Sequence, residues 1–137
     1  MQKSLRLKTF INNYTKLIIS GLILIIVFLF SWWSNPSLIP TINPGDSPGY
    51  IGVAKDFSDP IIFIRPFFYP LIIRICMNIS ELNWGILLSI VQILLHSSIC
   101  VIIFHFYLRY NFSKLSSFIL TLFIGFNSSL IYWSTYL

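Results

Sequence analysis

The feature that most constrains this chain is the uncharged run at residues 17–33, LIISGLILIIVFLFSWW. As a helix rising 1.5 Å per residue it is about 26 Å long, close to the roughly 30 Å of a bilayer's hydrocarbon core. Lys16 precedes the run, and Trp32 and Trp33 end it. A basic residue at one end and tryptophans at the other are typical of a helix anchored at both membrane surfaces. The run therefore predicts a membrane-spanning helix.

The composition of the whole chain indicates the same class of protein. Its 137 residues are 56% hydrophobic and only 9% charged, whereas a soluble domain carries about 25% charged residues. So few charges cannot cover a water-facing surface, and we predict an integral membrane protein embedded in the lipid bilayer. The formal net charge of +5 does not indicate nucleic-acid binding, because the basic residues stand at the ends of apolar runs rather than in a patch.

Two further apolar runs predict spans at 84–107 and 115–136. Basic residues precede the first span and separate the second from the third, so the positive-inside rule places the N-terminus in the cytoplasm and residues 34–65 outside. We expect an all-α chain with three transmembrane helices, in a bacterial inner (plasma) membrane. A cleaved signal peptide is the rival interpretation of the first run, which is longer than a usual signal core and lacks a small-x-small cleavage site.

The outer loop, residues 34–65, contains five prolines. Proline in a helix interior removes a hydrogen bond and clashes with the preceding turn, so a long helix is excluded here. A short helix fits between the prolines at 50–57. Asp46 or Ser47 would be its N-cap, and Pro48 would lie in its first turn.

The segment 66–79 is apolar but short for a span, and Arg74 lies in its middle. An arginine at the bilayer centre costs at least about 2.5–3.5 kcal/mol on insertion scales. We therefore expect an interfacial helix at the outer surface, with Arg74 as its anchor. Alternatively, Arg65 and Arg74 line a cavity.

Three of the four acidic residues lie in the outer loop: Asp46, Asp56 and Asp59. A carboxylate at the membrane surface can act as general base on a hydroxyl, and a neighbouring arginine can clamp a phosphate. Such a set suits transfer of a group from a lipid phosphate, although solvated loop charges are the simpler interpretation. Three loop carboxylates permit a divalent metal without forming a ligand pattern, and no other cofactor is indicated.

Other polar or small residues within the predicted spans favour packing. His96 and Cys100 share a helix face, but His105 lies off that face and no third metal ligand is visible. We expect core packing or an interhelical hydrogen bond for His96. Gly125 and Asn127 interrupt the third span, which is typical of helix–helix contact.

The order of these features resembles the N-terminal part of the GT-C membrane glycosyltransferases, in the branch of protein O-mannosyltransferases and lipid A aminoarabinose transferases. Residues 46–54, DSPGYIGVA, match that family's pattern D-S-x-x-Y-x-x-x-A. Residues 65–70, RPFFYP, match R-P-P-x-Y-P, with Phe67 in place of the second proline. Residues 126–133, FNSSLIYW, resemble the asparagine and aromatic cluster that end the third span.

The resemblance implies roles for four residues. Asp46 would be the catalytic base, taking the proton from an acceptor hydroxyl as its oxygen attacks the anomeric carbon of a sugar and inverts it. Arg65 would bind the phosphate of a polyprenyl-phosphate-linked sugar donor. Tyr50 and Tyr69 would shape the pocket for that substrate. The function expected from the resemblance is transfer of the sugar to an acceptor on the outer face.

The resemblance covers essentially all 137 residues but only the opening part of a longer family protein. We therefore expect a single membrane region that is the front part of a multi-span protein and is inactive alone, because a site assembled from several helices is incomplete without them. The alternatives are a small non-enzymatic membrane subunit for lipid-linked sugar translocation or assembly, and a non-functional gene fragment. Neither alternative needs a catalytic base.

Overall fold

The structure is a computed structural model that describes residues 2–34, 47–58 and 68–127. Within these ranges the chain is all-helical and contains no strand, which confirms the predicted α-helical class for the described residues. The helices are α1 (Gln2–Ser34), α2 (Ser47–Lys55), α3 (Phe68–Ile79), α4 (Trp84–Arg109) and α5 (Lys114–Gly125).

Two of the described helices are long and apolar enough to cross a membrane: α4, and α1 from Phe10 to Ser34. The α4 helix agrees closely with the predicted span at 84–107. The α1 helix begins at Gln2, well before the predicted span at 17–33, because residues 2–16 contain no proline or glycine to stop it. Only 22% of the most apolar stretch of α1 and 39% of that of α4 is buried, whereas the core helix of a soluble protein is mostly buried.

The predicted third span at 115–136 is not a third helix of spanning length in the described residues. The α5 helix has 12 residues, about 18 Å at 1.5 Å per residue, and it ends at Gly125. The amide of Phe126 closes the last turn by donating to the Leu122 carbonyl at 2.8 Å. Glycine, asparagine and serine are weak helix formers, and they follow one another closely from Gly125 onward. Residues 128–136 lie outside the described part of the chain.

The two short helices carry proline in their first turn. Pro48 is the second residue of α2, and Pro70 is the third residue of α3. The first amides of a helix have no partner within it, so proline loses nothing there. The short helix predicted at 50–57 therefore exists as α2, which begins three residues earlier than expected. The α3 helix covers all but the first two residues of the helix predicted at 66–79.

The α4 helix is the centre of the packing. Its N-terminal half packs against α3, on which α2 packs in turn, around a buried cluster that consists of Ala54, Ile73, Cys76 and Leu88. Its C-terminal half packs against α1 and α5, around a second buried cluster that consists of Ile23, Val27, Cys100 and Phe104. Because α4 belongs to both clusters, it joins the two groups of helices.

The register between α1 and α4 is set by a hydrogen bond between Ser20 and His105. The Ser20 hydroxyl donates to the Lys16 carbonyl oxygen at 2.9 Å, so it accepts from Nε2–H of His105 at 3.0 Å. Further along α1, Val27 lies near Cys100 of α4, because both side chains are next to Gly125 of α5. Higher residue numbers in α1 thus face lower numbers in α4, and the two helices are antiparallel.

The turn between α4 and α5 is a Schellman motif, in which the residue after the helix cap is left-handed. Asn111 has a φ of 64°. Its amide donates to the Leu108 carbonyl, and the amide of Phe112 donates to the Tyr107 carbonyl, both at 3.2 Å. The Tyr107 and Phe112 rings pack at 5.4 Å between centroids. Ser113 then caps α5, accepting from the third amide of that helix at 3.1 Å.

This motif predicts that Asn111→Val destabilises the protein. A β-branched residue in the left-handed region costs about 1–2 kcal/mol, so the free energy of unfolding should fall by about that amount. Asn111→Gly is the matched control, because glycine adopts this conformation freely. Denaturation in detergent micelles, followed by circular dichroism, measures both variants. Equal stability of the two variants would contradict the assignment.

Gly125 lies where α5 closely approaches α1 and α4. A Cβ atom there would lie 2.6 Å from Cγ2 of Val27 and 3.4 Å from Sγ of Cys100. Both of these side chains are fully buried, so neither can move aside easily. The buried face of α5 consists of Ser117, Thr121 and Gly125, all small residues spaced four apart. Small residues let helix backbones approach closely, which confirms the helix-contact role predicted for Gly125.

We predict that Gly125→Leu disrupts this contact. Overpacking a close-packed site typically costs about 1–3 kcal/mol, and the free energy of unfolding should fall by that order. Gly21→Leu is the matched control, since a Cβ atom at Gly21 would meet no atom within 4 Å. The control should be neutral or stabilising, because leucine is the better helix former. If both substitutions lower stability equally in detergent denaturation, the contact is not specific.

Candidate functional site

The four residues predicted for the donor site fall into two pairs. Tyr50 lies in α2 and Tyr69 in α3. Asp46 and Arg65 lie outside the described residues. In the sequence, Asp46 directly precedes the first residue of α2, and Arg65 comes three residues before α3. The geometry that follows therefore concerns the two tyrosines and the groups around them.

The two tyrosines are in contact. Their ring centroids lie 5.2 Å apart with an angle of 86° between the rings, an edge-to-face arrangement. Such a pair contributes about 0.5–1.5 kcal/mol beyond its buried area. Tyr50 belongs to the first sequence motif and Tyr69 to the second, so packing of α2 on α3 joins one residue from each motif. Both rings rest on the cluster around Ile73 and Leu88.

A buried glutamine of α4 holds the hydroxyl of Tyr69. Nε2–H of Gln92 donates to the Tyr69 hydroxyl oxygen at 2.7 Å. Burial raises the pKa of Tyr69 to about 12, and the proximity of Tyr50 and then Cys76 adds to this effect. A tyrosine with the ordinary pKa of about 10 is already neutral at physiological pH, so the shift does not change the charge of Tyr69 there. Sequence analysis did not identify Gln92, although an amide within an apolar span is itself a signal of a specific role.

Arg74 packs against the turn that follows α2. Its guanidinium carbon lies 4.8 Å from the ring centroid of Phe57, which is within the range of a cation–π contact. The pKa of Asp56 is lowered by hydrogen bonds from the hydroxyl and amide of Ser58, at 2.7 and 2.9 Å, with a smaller attraction from Arg74. Arg74 therefore connects α3 to the turn that follows α2. Its predicted role as an anchor of an interfacial helix stays a prediction.

Within the described ranges, no three His, Cys, Asp or Glu side chains come together as a metal site would require. Asp46 and Asp59 are outside those ranges, so participation of a divalent metal stays a prediction. His96 instead makes the interhelical hydrogen bond predicted for it, with Nε2–H donating to the Gly125 carbonyl oxygen at 3.3 Å. The thiols of Cys76 and Cys100 are free and buried.

Comparison of the chain with protein-family models, with curated proteins and with solved structures found no match. The case for any function therefore depends on the residues themselves and on the contacts described above.

The hydrogen bond between Gln92 and Tyr69 can be measured by a double-mutant cycle. Gln92→Leu, Tyr69→Phe and the double variant should give a coupling energy of about 1 kcal/mol, as expected for a part-buried hydrogen bond. Ser98→Ala combined with Tyr69→Phe is the control cycle. Ser98 is exposed and bonds only the carbonyl of Leu94 in its own helix, at 2.8 Å, so its coupling should be zero. Similar coupling in both cycles would refute a direct bond.

Proposed function

We propose that this chain is part of an integral membrane glycosyltransferase of GT-C type. It would transfer a sugar from a polyprenyl-phosphate donor to an acceptor on the outer face of the membrane. The observation that carries the proposal is the contact between Tyr50 and Tyr69, because each residue comes from a different one of the two motifs that resemble the family. No nucleic acid has a role in this proposal.

The distribution of charge supports a membrane position for α1 and α4. Lys16 and Arg109 lie at the same end of this antiparallel pair, each one turn beyond the contact between Ser20 and His105. The opposite end carries tryptophans on both helices: Trp32, Trp33 and Trp84. Basic residues at one end and aromatic residues at the other follow the positive-inside and interface rules. In the proposed orientation α2 and α3 are at the outer surface.

The α3 helix suits an interfacial position. Its buried face packs on α4, yet Phe68, Ile75 and Ile79 on the other side are exposed. Arg74 and Asn78 lie one turn apart, between the buried apolar face and the exposed apolar face of α3. A short helix with an exposed apolar stripe and flanking polar residues can bury that stripe at the boundary of headgroups and acyl chains. We infer that α3 lies in the outer interface.

The proposed reaction is a single displacement. Asp46 accepts the proton of the acceptor hydroxyl as its oxygen attacks the anomeric carbon. The bond from that carbon to the phosphate oxygen breaks, the anomeric configuration inverts, and Arg65 stabilises the leaving polyprenyl phosphate through paired hydrogen bonds. The Tyr69 phenol is neutral at physiological pH, as tyrosine ordinarily is, so it does not repel the phosphate. Tyr50 supplies aromatic surface beside it.

The proposal predicts that Asp46→Asn, introduced at the native locus, abolishes sugar transfer in isolated membranes. Loss of a general base typically reduces the rate about 10²- to 10⁴-fold. Transfer is measured with radiolabelled polyprenyl-phosphate mannose, and donor binding with a photoreactive polyprenyl phosphate. Binding should persist in the variant, because the asparagine side chain preserves the shape of aspartate.

Asp59→Asn is the matched control, since it removes another carboxylate of the same loop and should leave transfer intact. Unchanged transfer in Asp46→Asn would show that this residue is not the base. Donor binding without transfer in the wild type would favour the non-enzymatic subunit. Rapid degradation of the wild-type chain in its native membrane would favour a gene fragment.

A further inference from the structure

The end of the helix group opposite the tyrosine pair carries basic residues from three helices. Lys16 of α1 and Arg109 of α4 lie at the same level, because each is four residues from one partner of the hydrogen bond between Ser20 and His105. Lys114 begins α5 directly after the tight turn that follows α4. Three cationic side chains from separate helices therefore occupy one end of the molecule.

No carboxylate of these helices neutralises this charge. Residues 1–34 and 84–127 contain no aspartate or glutamate, and all four acidic residues fall between positions 46 and 81. Arg109 is exposed, whereas Lys16 and Lys114 are half-buried. Half-buried lysines can lay their alkyl stems along the helices and extend their ammonium groups to the surface.

Exposed aromatic residues lie within two positions of each of the three cations in the sequence. Tyr14 is 58% exposed, Tyr110 62% and Phe112 47%. Aromatic side chains of this kind are enriched at the level of lipid headgroups. Towards the middle of the helices, exposed apolar side chains continue along the surface, among them Leu17, Ile102 and Leu115. The surface thus offers cations for a headgroup, aromatic rings at the interface and an apolar path for acyl chains.

We propose that Lys16, Arg109 and Lys114 form a binding surface for the phosphate headgroups of anionic phospholipids in the cytoplasmic leaflet. This inference rests on the membrane position in the proposed function, but it does not depend on sugar transfer. Charge complementarity favours an anionic lipid over a zwitterionic one. Lysine and arginine near a membrane surface attract anionic lipid over roughly one Debye length, about 8 Å at physiological ionic strength.

The test uses the full chain reconstituted into phosphatidylcholine vesicles that contain spin-labelled phosphatidylglycerol or spin-labelled phosphatidylcholine. Electron paramagnetic resonance gives the relative association of each lipid with the protein. The wild type should prefer phosphatidylglycerol at least about fivefold, the ratio that corresponds to the usual attraction of one basic residue for anionic lipid. The triple variant K16Q/R109Q/K114Q should lose this preference while keeping its helical circular dichroism.

The matched control is K3Q/R6Q/K8Q, which removes the same charge from an earlier part of α1. Lys8 is eight residues from Lys16, about 12 Å along a helix, and Lys3 and Arg6 are further away, so the control should keep most of the preference. Equal losses in both triple variants would show diffuse attraction by net charge and would overturn the proposal. So would an unchanged preference in K16Q/R109Q/K114Q.

Two further measurements separate the remaining outcomes. If inorganic phosphate weakens the preference more than chloride at the same ionic strength, the three cations recognise the phosphate group itself, as the proposal requires. Equal effects of the two salts would show screening of net charge alone and would overturn the phosphate site. Flotation with phosphatidylcholine vesicles tests the membrane position itself. A protein that floats without lipid preference overturns only this inference, whereas a protein that does not float overturns the proposed function as well.

Discussion

Three hydrogen bonds donated by α4 determine how its neighbours are placed. Gln92 donates to α3, His96 to α5 and His105 to α1. Apolar packing between such helices tolerates sliding, because many registers bury similar area and lipid is as apolar as leucine. A polar bond between helices is worth only about 0.6 kcal/mol on average in a membrane protein. Its directionality, rather than its strength, favours one register over the others.

The same helix connects the candidate site to the rest of the structure. Gln92 holds Tyr69, and Tyr69 holds Tyr50 through the contact of their rings. A shift of α4 along its axis would therefore move one half of the proposed donor site. The close packing of α5 at Gly125 against the side chains of Val27 and Cys100 resists such a shift. Stability of the helix group and geometry of the site are thus coupled.

The two ends of the helix group differ in chemistry because charge is segregated along the chain. Basic residues without carboxylates occupy one end, while the carboxylates belong to the segments around α2 and α3. In the proposed orientation, one end faces anionic lipid and the other faces the donor and acceptor. Under the two proposals, a single scaffold would support lipid binding at one end and sugar transfer at the other, and each could be lost without the other.

Local sequence accounts for where α3 and α4 form, because the hydropathy of each segment is a local property. It also accounts for the short helix near Pro48, because prolines exclude a longer one. Through a family resemblance the sequence also predicted one site for Tyr50 and Tyr69. Their rings are in contact, and their role in a donor site stays a prediction. The partnership of Gln92 with Tyr69 and the close approach of Gly125 to Val27 were decided by the packing of helices against one another. Both depend on which helices meet and how closely, and no local pattern encodes that distance. Asp46 and Arg65 stay predictions of the sequence alone.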